Sequence, residues 1–146
     1  MSPLLYTIGH SNRALKDFIE ILKTYNIRTI IDVRRWPSSK KYPYFGKDSL
    51  EKVLRDEGID YYWLGEHLGG YRSPNYIEYM KTEEYRKGIS TLLEILAQQQ
   101  HKGNVAILCS EKYWFKCHRR FIADTLKKHG IKVIHIVDKD KTYYHK

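Results

Sequence analysis

Between Leu108 and Ala123 the chain reads LCSEKYWFKCHRRFIA, which gathers two cysteines, a histidine, two arginines, two lysines and a glutamate into one short segment. In such a setting Cys109 is the candidate nucleophile, His118 a proton shuttle or a cation beside a thiolate, and Glu111 an acid or base. Plainer roles compete: buried cysteines pack as small hydrophobes, Glu111 can pair with Lys112, and His118 shares a helical face with Ile122 and Leu126. Cys109, Cys117, His118 and His10 are suitable zinc ligands by type. They lack the short cysteine spacings of a structural zinc motif, so no metal site is assigned.

The segment also reads as an anion cradle. With a helix expected from Lys116 to His129, Cys117, His118 and Arg119 fall in its first turn, where unpaired N–H groups and the helix dipole favour an oxyanion. Helical spacing sets Arg119 above Ala123 and Leu126, and Arg120 above Asp124, facing outward. Arg119 is therefore the expected clamp on a phosphate, with Lys112 adding charge and Cys117 beside it. The spacing departs from thiol phosphatase and rhodanese loops, in which a cysteine opens a five-residue cradle closed by arginine; here Trp114 and Phe115 occupy the closing region.

Three other segments carry polar groups of the same kind. GHSNR supplies His10, a further candidate to transfer or position protons, with Ser11 and Asn12 as caps or ligand contacts. In IDVRRW, alternation along a strand puts Asp32 and Arg34 on one face, so Asp32 can hold Arg34 while Arg34 reaches a ligand. Beyond it, Trp36, Tyr42, Tyr44 and Phe45 interleave with Arg35, Lys40, Lys41 and Lys47, a mixture able to stack bases and neutralise phosphates, or simply to pin a loop. Gly69 and Gly70, followed by Tyr71 and Arg72, permit a tight turn or a close approach to phosphate.

These segments need a scaffold that brings them together. Strands are expected at Leu4 to Ile8, Arg28 to Val33, Asp60 to Leu64, Asn104 to Leu108 and Lys132 to Val137. Between them lie helices from Asn12, from Asp48 to Glu57, and from about Glu83 to Gln99, with a short turn near Tyr76 to Met80; Asn26, Gly58, Gly103 and Gly130 act as stops. The pattern predicts an α/β/α three-layer sandwich with a mostly parallel five-stranded sheet, as a single domain over residues 1–146. Ligands on such sheets bind beyond the carboxyl ends of the strands, and all four polar segments follow strands.

Lys and Arg exceed Asp and Glu by 26 to 17, which favours anionic partners. No apolar run approaches the roughly 20 residues of a membrane span, and the start lacks a secretory pattern, so a cytoplasmic protein with reduced thiols is expected. The leading expectation is a cleft for a phosphate-bearing ligand, a nucleotide or nucleic acid, with enzymatic turnover open and any cofactor unknown. A non-catalytic nucleic-acid-binding module and a protein interaction scaffold are the alternatives.

Taken in order, TIGHSN, IDVRRWPSSK with the proline and phenylalanine after it, LGG, and CSEK followed by CHRRFIAD resemble the DUF488 family of small prokaryotic proteins. The likeness runs from Thr7 to Ile136. It implies a single α/β domain and makes His10, Ser11, Asn12, Asp32, Arg34, Pro37, Gly69 and Gly70 motif positions, together with Cys109, Glu111, Lys112, Cys117, His118 and Arg119. Tyr113 and Trp114 stand where the family's C-x-E-K-x-P segment has an acidic residue and a proline. The resemblance supplies no reaction.

Overall fold

Alternation of buried residues along the strands divides the core in two. The computed structural model describes residues 3–38 and 40–146; Ser39 of the IDVRRWPSSK motif lies outside them. Strands β1 (Leu4–Gly9), β2 (Ile27–Asp32), β3 (Asp60–Trp63), β4 (Asn104–Cys109), β5 (Lys132–Asp138) and β6 (Lys141–Tyr144) form one sheet in the order β3-β2-β4-β1-β5-β6. All pairings are parallel except β5 with β6. On one face Ile8, Ile30, Ala106 and Leu108 pack against α1 (Leu15–Thr24) and α2 (Lys47–Asp56). On the other, Ile31, Val105, Ile107 and Val133 meet α5 (Glu83–Gln99) and α6 (Arg119–Lys128). Two one-turn helices, α3 (Gly65–Leu68) and α4 (Tyr76–Tyr79), lie between β3 and α5. The layered α/β/α architecture is the expected one.

The sheet has six strands where five were expected. Lys139 and Asp140 turn the chain back without a glycine, and Lys141–Tyr144 is exposed throughout, so neither hairpin chemistry nor a buried stripe marks β6 in the sequence. Its aromatics still matter: Tyr143 packs against Trp114 and Tyr144 lies under Lys132.

Helix starts also differ from expectation. Ala14, not Asn12, occupies the N-cap of α1, and Gly46 rather than Asp48 precedes α2. The largest difference is at α6. A 3-10 turn at Trp114–Lys116 intervenes, so the helix begins at Arg119 with His118 at its N-cap and Cys117 just before. The aromatic residues Trp114 and Phe115 pack on each other, and Trp114 stacks on His135 at 4.6 Å. That tertiary packing overrides the helical periodicity of the segment.

Candidate functional site

Parallel strands deliver the segments after β1, β2, β3 and β4 to one edge of the sheet. The chain leaves β2 toward α2 on one face and β4 toward α6 on the other, so a crevice opens between their carboxyl ends. A cavity of about 820 Å³ lies there, lined by residues from 34–38, 70–76, 109–111 and 115–121. A second hollow of about 450 Å³ adjoins it through Arg34, Trp36, Ser38, Ser110 and Glu111, and holds His10, Ser11, Asn12 and Lys41.

Arg34 sits at the junction, almost wholly buried. Its Nε and Nη2 donate to the two oxygens of Asp32 at 2.9 and 2.8 Å, and Nη1 donates to the Phe45 carbonyl at 2.6 Å. A guanidinium has five N–H donors, so two are left for the hollows it lines. Asp32 itself is inaccessible, because it also takes the Arg34 backbone N–H and the Tyr61 hydroxyl. It orients Arg34 and is removed from the expected ligand contacts.

Arg119 is a correction. It is completely buried and lines neither hollow. Its Nη1 donates to Thr7 Oγ1 at 3.1 Å, and Nη2 to the carbonyls of Glu111 and Lys112 at 2.6 and 3.2 Å. Arg119 shares the buried face of Ala123 and Leu126, as helical spacing expects, but is covered completely, and it is the outward-facing Arg120 that lines the cavity. Arg119 is therefore the strut of the 110–116 loop and not a phosphate clamp. Lys112 is corrected likewise: its Nζ turns away to Asp138 at 3.5 Å and lines neither hollow.

The glycines separate. Gly70 lines the cavity beside His118. Gly69 does not; a Cβ there would lie 2.4 Å from Arg35 Cβ and 2.5 Å from the Gly65 carbonyl oxygen, so it serves packing between loops. Gly9 was not expected to matter. A Cβ on it would fall 1.7 Å from the Glu111 carbonyl oxygen, so only glycine lets the 110–116 loop cross the end of β1.

The two thiols face each other. Cys109 Sγ, at the end of β4, and Cys117 Sγ are 2.7 Å apart, and the backbone N–H of Arg119 donates to Cys117 Sγ at 3.3 Å. The hydrogen bond from Cys109 holds the Cys117 thiol down, to about 4, with His118 and Arg119 acting in the same direction against burial. Burial first, and then the Cys117 sulfur, push Cys109 up. Both sulfurs border the cavity, Cys117 half-buried and Cys109, the expected nucleophile, beneath it at 2 % exposure. His118 is fixed beside Cys117, its Nε2 donating to the Val33 carbonyl at 3.1 Å and its ring 5.3 Å from Tyr76.

His10 faces the smaller hollow, stacked on Phe45 at 4.5 Å with Nδ1 2.9 Å from the Ser11 carbonyl. Glu111 borders both hollows. Among the described residues no group of three or more His, Cys, Asp or Glu side chains is placed to hold a metal ion, and no helix is long and apolar enough to cross a membrane. Besides Arg120, the cavity recruits Arg35, Arg72 and Lys116, and its rim carries Trp36 stacked on Tyr71 at 5.3 Å. The aromatic and basic interleaving after β2 was the sequence signal for this rim. Nothing in periodicity pointed to Arg120.

Behind Arg119 runs a directed line of hydrogen bonds. The Asp124 carboxylate accepts from His145 Nε2 at 2.6 Å, so His145 Nδ1 accepts from His135 Nε2 at 2.9 Å. His135 Nδ1 then accepts from the Thr7 hydroxyl at 2.6 Å, and Thr7 accepts from Arg119. Burial chiefly, then Arg119 and His145, press the His135 imidazole down to about 3, and burial presses His10 to about 4. In the unfolded chain both protonate near pH 6.5. Below that pH the unfolded state binds more protons, so stability is present above about 6.5 and falls as pH drops toward 4 and 3. The expected slope is about 1.4 kcal/mol per pH unit for each histidine. Urea unfolding from pH 7 to pH 4 checks it, with His10→Gln as the control that removes one of the two contributions, together with the Phe45 stacking, and leaves the Thr7–His135 bond in place.

A three-layer α/β domain with a basic, thiol-bearing crevice at its strand ends is the class that fold and site define. The chain belongs to the DUF488 family: residues 14–126 match the family described as "Domain of unknown function DUF488". No curated protein and no solved structure matches it.

Proposed function

We propose that the cleft binds a phosphate-bearing ligand, a nucleotide or the end of a nucleic-acid strand, in a cytoplasmic setting. The observation that carries this reading is the lining itself: Arg34, Arg35, Arg72, Lys116 and Arg120 surround one carboxylate, Glu111, beside the exposed Trp36–Tyr71 stack. Guanidinium groups supply paired donors to phosphate oxygens, and low-dielectric walls strengthen their field. The stacked rim offers a π-face to a base without reading its identity. Arg35 and Arg72 are already aimed by carbonyls, Arg35 by Tyr71 at 2.6 Å and Arg72 by Gly69 at 2.9 Å, which lowers the entropy lost on binding.

Calorimetric titration with a nucleoside triphosphate and with inorganic phosphate tests this. Arg120→Gln should weaken both by about tenfold and reduce the salt dependence by about one charge. Trp36→Ala should weaken the nucleotide by roughly 10-fold and leave phosphate unchanged. Equal titrations for wild type and both variants would overturn the reading.

A further inference from the structure

We propose that Cys117 and Cys109 form an exchange-active dithiol, Cys117 attacking and Cys109 resolving, that reduces a carboxylate-bearing low-molecular-weight disulfide admitted to the cleft. The geometry supports the two roles separately. Cys117 is half-buried and lines the cavity, with its sulfur supported by the Arg119 N–H, so an incoming disulfide reaches it first. Cys109 lies beneath it on the end of β4, with its sulfur already in contact, so the second step needs no movement of either strand or helix. Resolution therefore outpaces a second encounter with substrate.

The Cys117 thiolate attacks one sulfur of R–S–S–R; the S–S bond breaks, one RS⁻ leaves, and Cys117 carries a mixed disulfide. Cys109 loses its proton to the departing thiolate and attacks Cys117 Sγ, expelling the second RS⁻, which takes a proton from water. The substrate gains two electrons and becomes two thiols, while the protein dithiol is oxidised to a Cys109–Cys117 disulfide. A low-molecular-weight thiol, at two per turn, reopens it. The preference for an anionic disulfide comes from Lys116, Arg120 and Arg35 around the approach to Cys117, and so rests on the basic-cleft reading above. The exchange itself does not.

Oxidised glutathione and the neutral hydroxyethyl disulfide are the two probes, with products read by mass spectrometry after acid quench. Wild type should lose two hydrogens and keep no adduct. Cys109→Ser should hold a stable adduct on Cys117, and Cys117→Ser should react about 100-fold more slowly. Independent adducts on both cysteines of the wild type, or an unchanged rate in Cys117→Ser, would overturn the proposal. If a serine variant does not fold, peptide mapping of the wild-type product decides: a Cys109–Cys117 disulfide supports the proposal, and an adduct retained on Cys109 or two unmodified thiols overturns it. Glutathione disulfide should react faster than the neutral probe, with Arg120→Gln removing the difference. Equal rates for the two probes would reject the anionic substrate and leave the dithiol standing.

Discussion

Iodoacetamide should modify Cys117 at a rate that barely changes between pH 6 and pH 8, whereas an ordinary cysteine accelerates by roughly 10²-fold over that interval. The reason is the set of groups on its sulfur. A thiol donor at 2.7 Å and a backbone N–H at 3.3 Å both favour the charged form, and the sulfur stands at the start of α6. Absolute speed is a poor readout, since a thiolate of low pKa is also a weaker nucleophile and loses about 10²-fold in intrinsic reactivity. The shape of the profile carries the information. Cys109→Ser replaces the thiol donor and should move the inflection to a different pH, whereas Glu111→Gln should leave it in place. A rate that climbs tenfold per pH unit through neutrality would show that Cys117 is an ordinary thiol.

Asp32→Ala should be among the most destabilising single substitutions in the chain, at about 3–5 kcal/mol. The carboxylate is wholly buried and takes four donors: two from the Arg34 guanidinium, the Arg34 backbone N–H and the Tyr61 hydroxyl. Its removal leaves a buried cation without its counter-ion, held only by the Phe45 carbonyl, and a buried phenol without its acceptor. At this chain length the melting temperature should fall by roughly 10–16 °C. Replacing both ends of the pair, Asp32→Leu with Arg34→Met, should recover part of the loss, because the uncompensated charge goes too. The surface pair Arg55–Glu51 provides the contrast: Glu51→Ala should cost no more than about 0.5 kcal/mol. Thermal and urea unfolding of these variants give the comparison, and an Asp32→Ala change as mild as Glu51→Ala would contradict it.

Arg119 and Arg120 show where reading the sequence stops. Their order along the chain is plain, and helical spacing does separate their faces. Which of those faces meets the cleft depends on the course of the 110–116 loop, whose Glu111 and Lys112 carbonyls hold the Arg119 guanidinium while Arg120 stays on the cavity wall. The parallel sheet was legible because each strand is a short apolar run and glycine or asparagine ends the helices: Asn26, Gly58 and Gly130 all adopt positive φ. Gathering of the polar segments on one edge followed from the same parallel topology. The exposed strand Lys141–Tyr144 was not legible, since it buries no face of its own. The difference between the two thiols was hidden for a related reason. Cys109 and Cys117 differ only in depth and in who donates to whom, and neither property is written in residue type or spacing.

The line from Asp124 through His145, His135 and Thr7 to Arg119 has one proton per bond, and each acceptor already points the next donor onward. An additional proton on His135 sits on Nδ1 and reverses its bond with Thr7, so the Thr7 hydroxyl accepts from both His135 and Arg119 and its own proton must turn to another acceptor. The hairpin edge and the crevice are thus joined by polarity as well as by packing. A substitution at Thr7, which contributes nothing to the lining, is felt by the carbonyls of Glu111 and Lys112 through the Arg119 side chain that braces both.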